Sequence, residues 1–395
     1  QSARKYIKAG EEFVRNGMYD DAIDQFSKAA HESPTSEEPY LMRAKAYEST
    51  GNFSLACDDY RRAVNFVPGN VSALYNLGRM CNKQALSEGV TEGEKSRFLN
   101  EAVSVLNKAI RAEYRNGKLY TEKAVSLIGM ELWDKALGTS DTALQMRDDA
   151  LNYYYQGIIY QKINDDNTAR RQLEKAVTKD KYLSVARLEL ARLLIRMGDV
   201  NSALGQCNMV MRQDEKNVDA YLTRAMVYEA KLDYPSAIND ISTAILLEPA
   251  QKNHYIIRGQ YYQKFSQHLA AINDFTKALA LDPSQSDVYL LRAKSYEEIS
   301  DFEKAAADYG KIVAMTETGM PARKMQAEAT ERLYAINRET GSPEIYIETP
   351  KIISGQEIEA GVDRTTILVT GKVSDKSLLA EFSINGSPVN YDGKA

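Results

Sequence analysis

The sequence predicts an all-α solenoid of paired helices followed by a small, incomplete β-sandwich, and three observations carry that prediction. Small residues recur at Gly10, Ala44, Gly78, Ala124, Gly157, Ala191, Ala225, Gly259 and Ala293, with a dominant spacing of 34. A second series, Ala22, Ala56, Ala102, Ala136, Ala169, Ala203, Ala237, Ala271 and Ala305, follows the first by twelve residues in eight of nine cases. From Ser342 the apolar pattern changes from helical to alternating. A period of 34 residues holds two helices and a turn, and such units build one core by stacking.

The remaining repeat positions fill in each helix. Four residues before the first small residue stand Tyr6, Tyr40, Leu74, Tyr120, Tyr153, Arg187, Tyr221, Tyr255 and Tyr289. Three residues after it stand Phe13, Tyr47, Cys81, Leu127, Tyr160, Leu194, Tyr228, Tyr262 and Tyr296. In the second helix, Phe26, Tyr60, Leu106, Leu173, Phe275 and Tyr309 lie four after the alanine, and Ala29, Ala63, Ala109, Ala143, Ala176, Ala244 and Ala278 seven after it. Spacings of three, four and seven mark one face of a helix, and small residues there let two helices approach while aromatics fill the gap. Pro34, Pro68, Pro249 and Pro283 stop their helices.

This pattern resembles the tetratricopeptide family across residues 3–319 as nine repeats. The resemblance implies a right-handed superhelix of nineteen helices, two per repeat and one cap, with a groove for a protein or peptide partner. The sequence departs from the pattern in repeats four to six, which lack the closing proline, and at Arg187 and Ser140, where apolar residues are expected.

Two irregularities interrupt the period. The gap between Gly78 and Ala102 is twenty-four residues, which places an insertion in the turn of repeat three, over residues 87–97. These residues are polar, and Thr91 with Glu94 spells a capping box for the next helix. The insertion reads as a longer loop with an extra helical turn, or as a lip that touches a partner. One residue is missing between Ala136 and Gly157. Residues 320–340 then form a capping helix, with Met325, Ala329, Leu333 and Ile336 on one stripe.

Residues 342–395 carry three strand-like runs, Glu344 to Thr349, Thr365 to Val373 and Leu379 to Ile384. Asn385-Gly386 is a hairpin signal, and Asp392-Gly393 spells another turn. The segment is similar to the first half of an immunoglobulin-like sandwich, and a sandwich of about 100 residues needs more chain or a partner to complete it.

Composition narrows the function. The net charge is −5 with no dense Lys/Arg run, so no nucleic-acid footprint is present. No apolar stretch reaches the length of a membrane span. Cys57, Cys81 and Cys207 read as buried free thiols rather than as a disulfide or metal site. The three histidines, His31, His254 and His268, lack neighbours at metal-ligand spacing, and no phosphate loop, nucleophile elbow or Cys–His pair occurs. The chain is therefore read as non-catalytic, with no cofactor and no metal. Gln1 at the start indicates removal of a signal peptide or trimming.

Comparison between repeats isolates one polar constellation. Arg43, Arg224, Arg258 and Arg292 are followed sixteen residues later by Asp59, Asp240, Asp274 and Asp308. Arg and Asp occur together at these positions or not at all, which predicts an ion pair between the two helices of a unit. By resemblance to the family, the groove is lined by first-helix residues one, two and five after the tyrosine position. In the centre this selects Tyr75, Asn76 and Arg79, Thr121 and Glu122, Tyr154 and Tyr155, and Leu188, Glu189 and Arg192, with Arg196 one turn on. Tyr75, Asn76, Arg79, Tyr154, Tyr155, Arg192 and Arg196 form the candidate site, since tyrosine and arginine commonly anchor interfaces. Packing between repeats is the competing role for Tyr154 and Tyr155. The arginines lead to the expectation of a partner segment carrying acidic residues.

The carboxylate clamp of the heat-shock co-chaperones is absent, because Ile7 and Glu11 occupy its positions. The architecture is similar to exported Bacteroidota proteins, including periplasmic components of secretion or gliding assemblies, which implies an exported location within a larger complex. The competing reading is a regulatory region of a multidomain enzyme, such as a caspase-like peptidase, whose catalytic domain lies beyond residue 395.

Overall fold

The computed structural model describes residues 2–87, 89–315, 319–340, 344–349, 370–374, 383–384 and 387–388. The chain divides into two compact units, Gln1–Glu215 and Lys216–Ala395. Nineteen α-helices occur among the described residues, arranged as an all-α helical-repeat solenoid.

Unit 1 holds six helix pairs. They are α1 (Ser2–Arg15) with α2 (Tyr19–Glu32), α3 (Glu37–Ser49) with α4 (Phe53–Phe66), and α5 (Val71–Ala85) with α6 (Glu92–Ala112). Then follow α7 (Gly117–Gly129) with α8 (Trp133–Met146), α9 (Ala150–Lys162) with α10 (Asp166–Lys179), and α11 (Ser184–Arg196) with α12 (Val200–Gln213). Every second-helix alanine of the repeat is fully buried, and the first-helix small residues are buried opposite it. At Gly157 a Cβ would sit 2.5 Å from Leu173 Cγ, so only glycine allows α9 and α10 to meet at this distance.

A tight turn joins the two helices of a repeat, and its geometry recurs. The residue seven after the small position has positive φ in eight repeats: Gly17, Gly51, Glu131, Asn164, Gly198, Leu232, Ser266 and Ser300, between 57° and 85°. The next residue donates its backbone N–H five residues back, as from Met18 to the Phe13 carbonyl at 2.9 Å and from Asp301 to that of Tyr296 at 2.9 Å. That bond closes the first helix in the Schellman manner. The same residue is the N-cap of the second helix, and the carboxylates of Asp165, Asp199, Asp233 and Asp301 accept there from Thr168, Ser202, Ser236 and Lys304 backbone N–H groups.

The insertion of repeat three is largely helical. Helix α6 runs for 21 residues, so Glu92 to Arg97 are helical rather than loop, and Thr91 and Glu94 close a reciprocal capping box at its start. The missing residue shows in the turn from α8 to α9, residues 147–149, where the turn from α10 to α11 takes residues 180–183. Arg187 replaces a tyrosine without losing its bond. The Tyr40, Tyr120 and Tyr255 hydroxyls each donate to the carbonyl six residues earlier at 3.0–3.2 Å, and Arg187 Nε donates to the Lys181 carbonyl at 2.9 Å. Ser140 is buried, and its hydroxyl has no partner among the described residues. Cys57, Cys81 and Cys207 are buried free thiols.

Unit 2 holds three more pairs: α13 (Val218–Ala230) with α14 (Tyr234–Leu247), α15 (Lys252–Lys264) with α16 (His268–Leu281), and α17 (Ser286–Glu298) with α18 (Phe302–Ala314). Helix α19 (Met320–Thr340) packs on α18 and α17, burying Ala329 and Ile336 with Met325 and Leu333 beside them. Strand β1 (Glu344–Thr349) pairs antiparallel with β2 (Thr370–Ser374), and β3 (Ser383–Ile384) with β4 (Ser387–Pro388). These short ladders do not define an immunoglobulin-like sandwich. Thr365 to Val369, Leu379 to Phe382, Asn385-Gly386 and Asp392-Gly393 lie outside the described residues.

Candidate functional site

The first helices of successive repeats lie side by side in unit 1, with α7 in contact with both α5 and α9. Tyr75, Asn76 and Arg79 project from α5, Tyr154 and Tyr155 from α9, and Arg192 and Arg196 from α11; all are partly exposed except Arg196, which is exposed. The Tyr154 and Tyr155 rings are tilted, with centroids 5.2 Å apart, and the Arg79 guanidinium lies 5.8 Å from the Tyr75 centroid. Amide side chains tie neighbouring first helices together. Asn82 Nδ2 donates to the Glu122 carbonyl at 3.0 Å and to Glu122 Oε2 at 3.2 Å, while Ser126 Oγ donates to Asn82 Oδ1 at 2.7 Å. The Thr121 hydroxyl donates to Asn152 Oδ1 at 2.7 Å, linking α7 to α9.

The three groove arginines, expected to attract an acidic segment, each pair with a carboxylate of this chain. Arg79 Nη2 donates to Glu48 Oε1 at 2.7 Å, Arg192 Nη1 to Glu189 Oε2 at 3.3 Å, and Arg196 Nε to Asp166 Oδ2 at 3.1 Å. Glu48 and Asp166 come from the preceding repeat and Glu189 from one turn earlier on α11, so an acidic ligand would have to displace a carboxylate already in place. Glu122 stands differently. Among the described residues no cation lies within 4.0 Å of it; nearby Arg79 holds Glu48, and Lys83 lies 4.8 Å from the Phe53 ring centroid. Burial raises the Glu122 carboxyl above its usual range, opposed by the Asn82 hydrogen bond and the charges of Arg79 and Lys83. Burial likewise raises the phenols of Tyr75, Tyr154 and Tyr155, and the Glu122 charge adds to this at Tyr75 and Tyr155.

The repeated arginines and aspartates meet within their own repeats. Nε of Arg43, Arg224, Arg258 and Arg292 donates to Oδ2 of Asp59, Asp240, Asp274 and Asp308 at 2.7–2.8 Å, and Nη2 to Oδ1 at 2.7–2.8 Å. The aspartates are buried. Tyrosines flank the guanidinium, as Tyr40 and Tyr47 do at 5.6 and 5.8 Å from Arg43. Arg43, Arg258 and Arg292 Nη1 also reach the preceding repeat, each 3.0 Å from a hydroxyl of Ser27, Ser242 or Thr276. These pairs are interior fastenings and present no open anion site.

Among the described residues no group of three His, Cys, Asp or Glu could hold a metal, and no helix is long and apolar enough to cross a membrane. What the geometry offers is a ridge of aromatic and paired polar side chains on a helical-repeat protein. The family profile described as tetratricopeptide repeat matches residues 7–71 and 256–318. A tetratricopeptide-repeat-containing protein of Methanocaldococcus jannaschii is 22% identical over 222 residues, covering 51% of this chain and 39% of that protein. This chain therefore spans about two-fifths of that relative. A thermophilic tetratricopeptide-repeat protein of Thermus thermophilus superposes with a TM-score of 0.40 at 21% identity, covering 49% of this chain and 99% of that one. The C-terminal part of a tetratricopeptide-repeat-containing protein of Cytophaga hutchinsonii gives a TM-score of 0.47 at 17% identity, covering 64% and 98%. Residues 7–71 and 256–318 thus match the tetratricopeptide repeat, and the chain is similar to tetratricopeptide-repeat proteins.

Proposed function

We propose that this protein is a non-catalytic scaffold that holds a protein or peptide segment along the first-helix face of unit 1, as one component of a larger, exported assembly. The observation that carries the reading is the run of Tyr75, Tyr154 and Tyr155 on α5 and α9, beside Arg79 and Arg192, on one partly exposed face. Tyrosine supplies large contact area at little entropic cost, and arginine gives directed hydrogen bonds; both concentrate binding energy at interfaces. A right-handed winding within each unit and an immunoglobulin-like completion of the C-terminal strands belong to the same reading. Placement in a periplasmic secretion or gliding assembly is its most specific form.

The test is capture of partners from native extract by the wild-type chain and by the Tyr154→Ala/Arg192→Ala double variant. Capture should fall by about tenfold while helical circular dichroism stays unchanged, as for interface hot spots. Equal capture by the variant would move the site to the 87–97 insertion or to the β segment.

A further inference from the structure

We propose that the centre of the unit 1 face is a socket for a basic side chain, in which Glu122 receives the lysine or arginine of an incoming segment between Tyr75 and Tyr155. The inference rests on the groove reading above and sharpens it to a ligand of stated charge. It reverses the acidic preference that the arginines alone suggested.

Four observations support it. Glu122 stands on α7, which packs between α5 and α9, the helices that carry Tyr75 and Tyr155. The two cations whose charges act on Glu122 have contacts of their own, Arg79 with Glu48 and Lys83 with the Phe53 ring. The carboxylate is oriented by Asn82, which is itself fixed by Ser126. One oxygen is thereby held, and the other has no hydrogen-bond partner among the described residues. The Glu122 charge also helps to raise both phenols.

The chemistry follows from these placements. A partly buried carboxylate without a counter-ion is held at a cost that an arriving cation removes. Aromatic faces attract the same cation through their quadrupoles, and more strongly where water is excluded. An acidic or neutral side chain gains neither term, and an acidic one is repelled. Lysine and arginine both satisfy the socket, and the flanking arginines are already neutralised in the Arg79–Glu48 and Arg192–Glu189 pairs.

The test uses the full chain immobilised and four pools of synthetic twelve-residue peptides, acetylated and amidated, randomised except for one central residue fixed as Lys, Arg, Glu or Ala. The Lys and Arg pools should be retained about tenfold more than the Ala and Glu pools, the size expected for a partly desolvated cation with a carboxylate and rings. Glu122→Gln should erase that difference, and Glu122→Asp, which keeps the charge, should preserve most of it; circular dichroism checks that both fold. Equal retention of all four pools by the wild-type chain would overturn the socket and leave the groove reading standing. Retention of none would overturn both. A basic preference that survives Glu122→Gln would also overturn it, because the carboxylate is then not the receptor.

Discussion

Arg258 and Asp274 meet inside a repeat with two parallel hydrogen bonds of 2.7 Å, and the aspartate is only 4% exposed. Removing one member strands the other away from solvent. Asp274→Ala is expected to cost about 3 kcal/mol, whereas the double change Arg258→Met/Asp274→Leu should recover most of that loss. Equilibrium urea unfolding of the three variants checks it, and a double variant as unstable as the single one would show that the pair adds net stability beyond satisfying itself. Glu122 gives the opposite sign. Its folded-state pKa is raised from the ordinary 4.5, so the fold favours the protonated form. Its contribution to stability is present below the unfolded value and is lost as pH rises through the folded one. Glu122→Gln, which resembles the protonated state, should therefore melt higher than wild type at about pH 7 and lose part of the gain that wild type shows on acidification toward about pH 5. Identical melts at both pH values would remove Glu122 as a source of cost. A group that weakens the fold and sharpens recognition is what a binding position leads one to expect.

At the scale of the element, the turn inside each repeat sets the angle between its helices, and the backbone rather than the side chain defines it. Leu232, 73% exposed, holds φ at 60°, a left-handed conformation that β-carbon sterics oppose. Leu232→Gly should add about 1 kcal/mol, with thermal melting as the measure. Gly157→Ala should cost about 1–3 kcal/mol, because the new Cβ would press on Leu173. A neutral result there would mean that α9 and α10 separate freely. The helix pairs were legible in the sequence because burial imposes a period, and the second-helix alanines that carry it are all fully buried. The turn was not legible, since five of the eight left-handed positions are not glycine and the bond that defines it joins backbone groups. The groove's charge state was hidden for another reason. Arg79 meets Glu48 and Arg196 meets Asp166 thirty or more residues apart, across repeats, in pairings that no spacing within one repeat reveals. Arg187 shows the converse, a departure in sequence that keeps the bond its tyrosine counterparts make to the preceding turn.

At the scale of the whole molecule, a solenoid distributes stability unevenly, because each repeat is held only by its neighbours and by the cap at its end. In unit 2, α19 covers α18 and α17 with Ala329 fully buried and Ile336 at 3% exposure, beside Phe275 and Tyr309 in one apolar cluster. A charge at Ala329 would be cut off from solvent among apolar neighbours. Ala329→Glu is therefore expected to unseat α19, at a cost of about 3 kcal/mol or more to the repeat beneath it. Opening should then spread backward along the stack with diminishing effect, since each interface passes on only part of the loss. Hydrogen exchange resolved by peptide should accelerate most in α17 to α19, less in α15 and α16, and not at all in α1 to α8. Uniform acceleration through both units would show instead that the chain unfolds as a single cooperative block, and the capping role of α19 would then be no more local than that of any other helix.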